Sequence, residues 1–327
     1  DGPTQDLWPD DDDPESLSFP VVLRGSDAVL RSLTIGVPLG GGGVIVYGGA
    51  PQLFDLAVLP DPRAEIAANY SAADRMRPFL FMEGSSPSVS DSAWTGFLHS
   101  GGASPTFEGN TVTAGAMALD GPGELVMRGN TFLDGALLHL DFDLTGVIEG
   151  NELSSGAIGI GAGSSMTVRD NVLLGPSLVS GGPYVTFTNP AIGVGESGTS
   201  AHVTGNTITG FETAIEVSDR AAATVEGNDL VDNELGIHWA SRESGSVEGN
   251  TVRGGETGIF IDYGPPSVTG NTVEGASARG IWFGDGALPT VEGNTVCDCE
   301  TNLYASERAD PALGDNEICP DGVAMAE

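Results

Sequence analysis

The chain has 327 residues, 12 basic and 46 acidic, and a formal net charge of −34. All the basic residues are Arg, and Lys is absent. Such a surface repels nucleic acid and anionic membranes, and it disfavours a strongly acidic polysaccharide unless calcium bridges the two. No stretch is apolar enough to span a bilayer, so direct membrane insertion is excluded as a reading.

Residues 1–19 carry the run Asp10 to Asp13 and several Pro. They read as a flexible acidic linker or tether, with Trp8 able to fold back over the first structured turn. No signal peptide is recognised there. From Val21 a repeating phrase begins in loose form, with Ser32 and Asp55 in the place that Asn takes later. Residues 59–78 break the period, and the helix-favouring run from Ala64 to Tyr70 predicts a short helix or long loop.

Beyond residue 100 the phrase becomes regular. Its cleanest copy is Val-Glu-Gly-Asn-Thr-Val at 291–296. Asn stands at 110, 130, 151, 171, 206, 228, 250, 271, 294 and 316. A fixed period of about 22 residues is the mark of a solenoid, whose coils bury their apolar sides only by stacking. An apolar residue lies three before each Asn, from Phe107 to Leu313, and another two after it, from Val112 to Ile318. Alternation across a tight turn is strand behaviour. The Gly frees backbone angles at the turn. The Asn tolerates a left-handed backbone and stacks into an internal amide ladder.

The one long gap, 35 residues between Asn171 and Asn206, holds a second insertion at about 176–189. Both insertions precede the same strand of their coil and border one face. In that strand Ile215, Ile237, Ile259, Ile281 and Leu303 recur every 22 residues and point inward with Val217, Trp239, Ile261, Phe283 and Ala305. The residues between them point outward: Glu216, His238, Phe260, Trp282 and Tyr304.

These repeats resemble the pectin-lyase-like right-handed parallel β-helix family, in its form with short parallel-β-helix repeats. The resemblance covers about residues 20–320. It implies an all-β, right-handed parallel β-helix of about 13 coils in a single domain, roughly 60 Å long at about 4.8 Å per coil, with residues 321–327 as a tail. It implies no single activity, because lyases, hydrolases, epimerases, adhesins and inert scaffolds share this fold.

The outward ring file is one candidate site. His238, Phe260, Trp282 and Tyr304, with His139 further up the face, are candidate glycan ligands, since aromatic faces at coil spacing suit the C–H faces of sugars. The alternative is a ladder in which the rings stack on one another. Asp120, Asp141, Asp262 and Glu216 are the candidate catalytic acids. Adjacent carboxylates would bind calcium, or one would rise in pKa to act as a general acid. His139 and His238, about five coils apart, cannot share one proton-transfer site. The signatures that the resemblance would bring from polygalacturonases (Asn-Thr-Asp, Gly-His-Gly, Arg-Ile-Lys) are absent, and Asp-Asp occurs only in the N-terminal acidic segment.

Cys297 and Cys319 each follow an Asn by three residues and occupy one position on adjacent coils. Stacking brings their Cα atoms near 5 Å, inside the disulfide window, with Cys299 left over. A disulfide implies an oxidising compartment. The sequence therefore describes a secreted or surface-tethered protein that binds a neutral or weakly charged glycan. A polysaccharide lyase or hydrolase using calcium, and a non-catalytic scaffold or adhesin stalk, are the alternatives.

Overall fold

The computed structural model describes residues 21–25, 27–37, 44–60, 78–95, 97–113, 116–175 and 190–319. The acidic segment, most of both insertions with the proposed helix, and the tail lie outside the described residues. The chain is an all-β parallel solenoid. Its first sheet has thirteen strands, one from each successive coil, from Val21–Arg24 to Thr301–Ala305. The remaining strands, one long strand in each of the first two coils and two in each later coil, join a second, 24-stranded sheet that bends at the Asn turn. The coil Leu235–Ala240, Ser246–Glu248, Thr251–Arg253 is representative, and every strand pairs in parallel with its equivalents on the coils either side.

The inward files form the core. Ile215, Ile237, Ile259 and Ile281 pair in register and are fully buried, and Leu303 follows at 8% exposure. Val217, Trp239, Ile261 and Phe283 form the next buried file, each worth about 2 kcal/mol of burial. The rows flanking the Asn are buried from Phe107 and Val112 onward. They fail only on the last described coil, where Leu313 is 44% exposed and no further coil lies over it among the described residues.

The Asn ladder is continuous. In each of the nine steps from Asn110 to Asn316, one side-chain amide donates to the Oδ1 of the Asn on the next coil at 2.8–3.0 Å. The same Nδ2 also donates to the carbonyl of the apolar row on the previous coil, as Asn228 does to Val203. Two expectations are corrected. The left-handed residue is the one before the Asn, for example Gly227 (φ 61°) and Gly249 (φ 60°), and no ladder Asn has positive φ. Ser32 and Asp55 (φ 52° and 50°) accordingly take the Gly place. Leu56 takes the Asn place, its N–H donating to Ser92 Oγ as an Asn N–H does to the next Oδ1.

The Cys297–Cys319 disulfide is formed across adjacent coils with Cα atoms 5.0 Å apart. Cys299 is a buried free thiol whose Sγ donates to the Cys297 carbonyl oxygen at 3.2 Å, and burial pushes it up from the usual thiol range.

Candidate functional site

The first sheet presents one long outward file: His99, Ala118, His139, Gly159, Gly193, Glu216, His238, Phe260, Trp282 and Tyr304, each in register with the next. Its C-terminal part is a ring stack. His238 lies parallel to Phe260 with centroids 5.1 Å apart, Phe260 lies 4.0 Å from Trp282, and Trp282 meets Tyr304 edge-on at 6.3 Å. Most ring faces are therefore turned along the coil axis onto each other, and edges face solvent. This close stacking buries His238 Nε2 and Trp282 Nε1, which find no hydrogen-bond partner among the described residues. Glu216 lies 3.6 Å from His238 Nδ1, and hydrogen bonding to that ring holds its carboxyl below the usual range.

In the middle of the file the side chains vanish. Gly159 and Gly193 lie side by side, and Gly161 and Gly195 repeat the gap two residues further on. The result is a cleft of about 320 Å³, floored by bare backbone at Gly159 and by Gly193 with the Pro190 ring packed against it, and rimmed by His139, Asp141, Glu196 and Ser218. Asp141 pairs in register with Asp120, and Asp120 Oδ2 is 3.3 Å from His99 Nε2. Asp141 and Glu196 approach each other over Gly161. A Cβ there would lie 2.6 Å from Asp141 Oδ1 and 3.6 Å from Glu196 Cδ, so only Gly admits both carboxyls. Glu196 is fixed by the Ala162 N–H, which donates to its Oε2 at 3.1 Å. Burial, then Asp120, then Glu196 raise the pKa of Asp141, and His139 opposes them. A carboxyl of this kind keeps its proton to higher pH and can donate it.

The structure thus brings Asp120, Asp141 and His139 together at the cleft. It sets Glu216 with His238 three to four coils further on. Asp262 belongs to the second group: its pKa is raised by burial, with His238 lowering it and Asp285 raising it. His139 and His238 are four coils apart, one fewer than expected, and remain in separate groups. Glu196 and His99 are additions. Glu196 follows the irregular gap and His99 precedes the regular repeats, so neither falls on the period that marks the other positions. Among the described residues no group of three or more His, Cys, Asp or Glu is arranged to hold a metal ion, and no helix is long and apolar enough to cross a membrane.

Two family descriptions match parts of the chain: "Right handed beta helix region" over residues 83–229, and "Periplasmic copper-binding protein (NosD)" over residues 182–319. Among solved structures, a mutant of the periplasmic alginate epimerase AlgG is similar at 13% identity and a TM-score of 0.53, over 91% of this chain and 76% of that one. A double mutant of the same epimerase aligns at 14% identity and a TM-score of 0.42, over 94% and 77%. No curated protein matches the sequence. With the coil architecture, these matches place the chain among the right-handed parallel β-helix proteins of pectin-lyase-like fold.

Proposed function

We propose that this is an extracytoplasmic glycan-binding β-helix protein whose ligand lies along the first sheet, seated on the Gly159–Gly193 floor. The single observation that carries the reading is that low floor, bare at Gly159 and capped only by the Pro190 ring at Gly193, between taller neighbours, His139 on one side and Glu216 with the ring stack on the other. A flat sugar ring can lie on such a floor while rim polar groups take its hydroxyls. The ring edges from Phe260 to Tyr304 extend the same track as an apolar rail. The disulfide, the periplasmic setting named for NosD and AlgG, and the polysaccharide named for AlgG support the location and the ligand class.

A glycan array tests this with three proteins. Wild type retains neutral or sparsely charged glycans. Gly159→Leu fills the floor without a backbone clash, since a Cβ there meets only ordinary contacts at 3.7 Å and 3.8 Å, and it abolishes binding. Trp282→Ala weakens binding roughly tenfold, about 1.4 kcal/mol. No glycan retained by wild type, or equal retention by Gly159→Leu, removes the reading.

One observation favours a second reading, a hydrolase or lyase in the same cleft: Asp141 holds its proton more tightly than an ordinary Asp, beside Glu196, Asp120 and His139. Asp141 then supplies the proton to a leaving sugar oxygen. Asp262 and Glu216 lie outside this cluster and are the weaker catalytic candidates. Product release from a polysaccharide panel, lost in Asp141→Asn, promotes this reading over simple binding.

A further inference from the structure

Arg279 begins the strand Arg279–Ala287, beside the ring stack, in register with Thr257 and Thr301. Its guanidinium carbon lies 4.3 Å from the Trp282 ring centroid and 4.8 Å from that of Tyr304. The guanidinium is thus held by two rings. Arg128, Arg169 and Arg253 all reach carboxylates. Arg279 does not: no carboxylate among the described residues comes within 4 Å of it, in a chain with 46 acidic residues. Nor does any protein acceptor among them take a hydrogen bond from its side chain.

Stacking occupies the faces of a guanidinium and leaves its in-plane N–H donors free. It also fixes the plane of the fork and reduces the rotamer freedom lost when a ligand is taken. A planar donor fork without a partner is matched to a planar or tetrahedral oxyanion. The general repulsion from the acidic surface is screened beyond about 8 Å at physiological ionic strength, so the local donor set decides at contact.

We propose that Arg279, clamped by Trp282 and Tyr304, is a subsite for an oxyanion substituent, a carboxylate or sulfate, carried sparsely on the bound glycan. This rests on the glycan reading above, and it makes that ligand weakly acidic instead of strictly neutral. Arg279 lies four coils beyond Gly193, about 19 Å at about 4.8 Å per coil. A chain of about four sugars therefore places its charged unit at the clamp while another unit occupies the floor.

The test follows the Arg279 Nε–H resonance of the whole protein, assigned by its loss in Arg279→Gln. Methyl glucuronide, methyl sulfate and methyl glucoside are titrated in turn. The expected result is a saturable shift with one or both anions and none with the glucoside, retained in Gly159→Leu and reduced severalfold when Trp282→Ala removes the clamp. The two anion arms separate carboxylate from sulfate. No shift with either anion, or an equal shift with the neutral glucoside, overturns the proposal. A shift in a protein that retains no glycan on the array keeps the subsite and removes the glycan reading, so the two failures are distinct. On the array, Arg279→Gln retains neutral glycans as wild type does and loses the preference for acidic ones. Unchanged preference also overturns the proposal.

Discussion

Asn228 donates to the Oδ1 of Asn250 twice, from its backbone nitrogen at 3.0 Å and from its side chain at 2.9 Å. One buried oxygen thus satisfies two buried donors on the neighbouring coil. Asn250→Ala leaves both without an acceptor, and Asn250 also loses its own bond to the Val225 carbonyl. At about 1–3 kcal/mol per orphaned buried group, the loss is about 3 kcal/mol or more. Thermal unfolding checks it. A change in Tm no larger than that of an exposed substitution such as Glu248→Ala would show that the ladder is ornamental.

The disulfide clamps the last coil, whose strands Ala312–Leu313 and Glu317–Ile318 are only two residues long and covered on one side. Cys319→Ser is expected to speed amide exchange at residues 312–318 while coils before Asn271 stay protected. In the native protein Cys299 stays unreactive to thiol reagents, being buried with a raised pKa. Rapid labelling of Cys299 at neutral pH contradicts this.

Asp141 has a folded pKa above its unfolded value of 3.8. Its contribution is therefore favourable when protonated and is lost as pH rises through the folded value. Above the folded value the ionised carboxyl is part-buried and faces Asp120 and Glu196 at a cost, so Asp141→Asn should raise Tm on that side of the titration and change it little near pH 3. A lower Tm above the folded value would mean that His139 dominates the site.

Glu216 behaves in the opposite sense. Its folded pKa lies below 4.5, so its contribution is present above that pH and lost as pH falls through the folded value. Glu216→Gln should narrow the stability difference between pH 7 and pH 3. An unaltered difference would mean that the His238 contact at 3.6 Å carries no weight.

The period alone made the Asn ladder, the inward Ile file and the disulfide legible, because residues about 22 apart become touching neighbours on a solenoid. The cleft was not legible for the opposite reason. It consists of side chains that are missing, at Gly159 and Gly193, and Gly is common in this chain for the sake of its turns. Glu196 was hidden by the 35-residue gap, which puts it out of phase with Asp141 although the two converge over Gly161. The ring file was visible, but whether rings lean onto each other or stand apart depends on side-chain torsions that spacing does not fix. Gly and Asn are adjacent and both suit a left-handed backbone, so spacing alone does not say that only the Gly place adopts it.

The ladder also has a direction. From Asn110 to Asn294 each ladder Asn donates its backbone N–H and one side-chain N–H forward to the coil that comes next in the chain, while its other side-chain N–H and its oxygen are used on the coil before, as at Asn228. A coil is therefore unfinished until its successor has been laid down. Shortening the protein from its carboxyl end strands two donors at the cut, whereas shortening it from the amino end strands one donor and the Oδ1 acceptor. Truncations of equal length at the two ends should differ in solubility, and the carboxyl-terminal ones should fare worse.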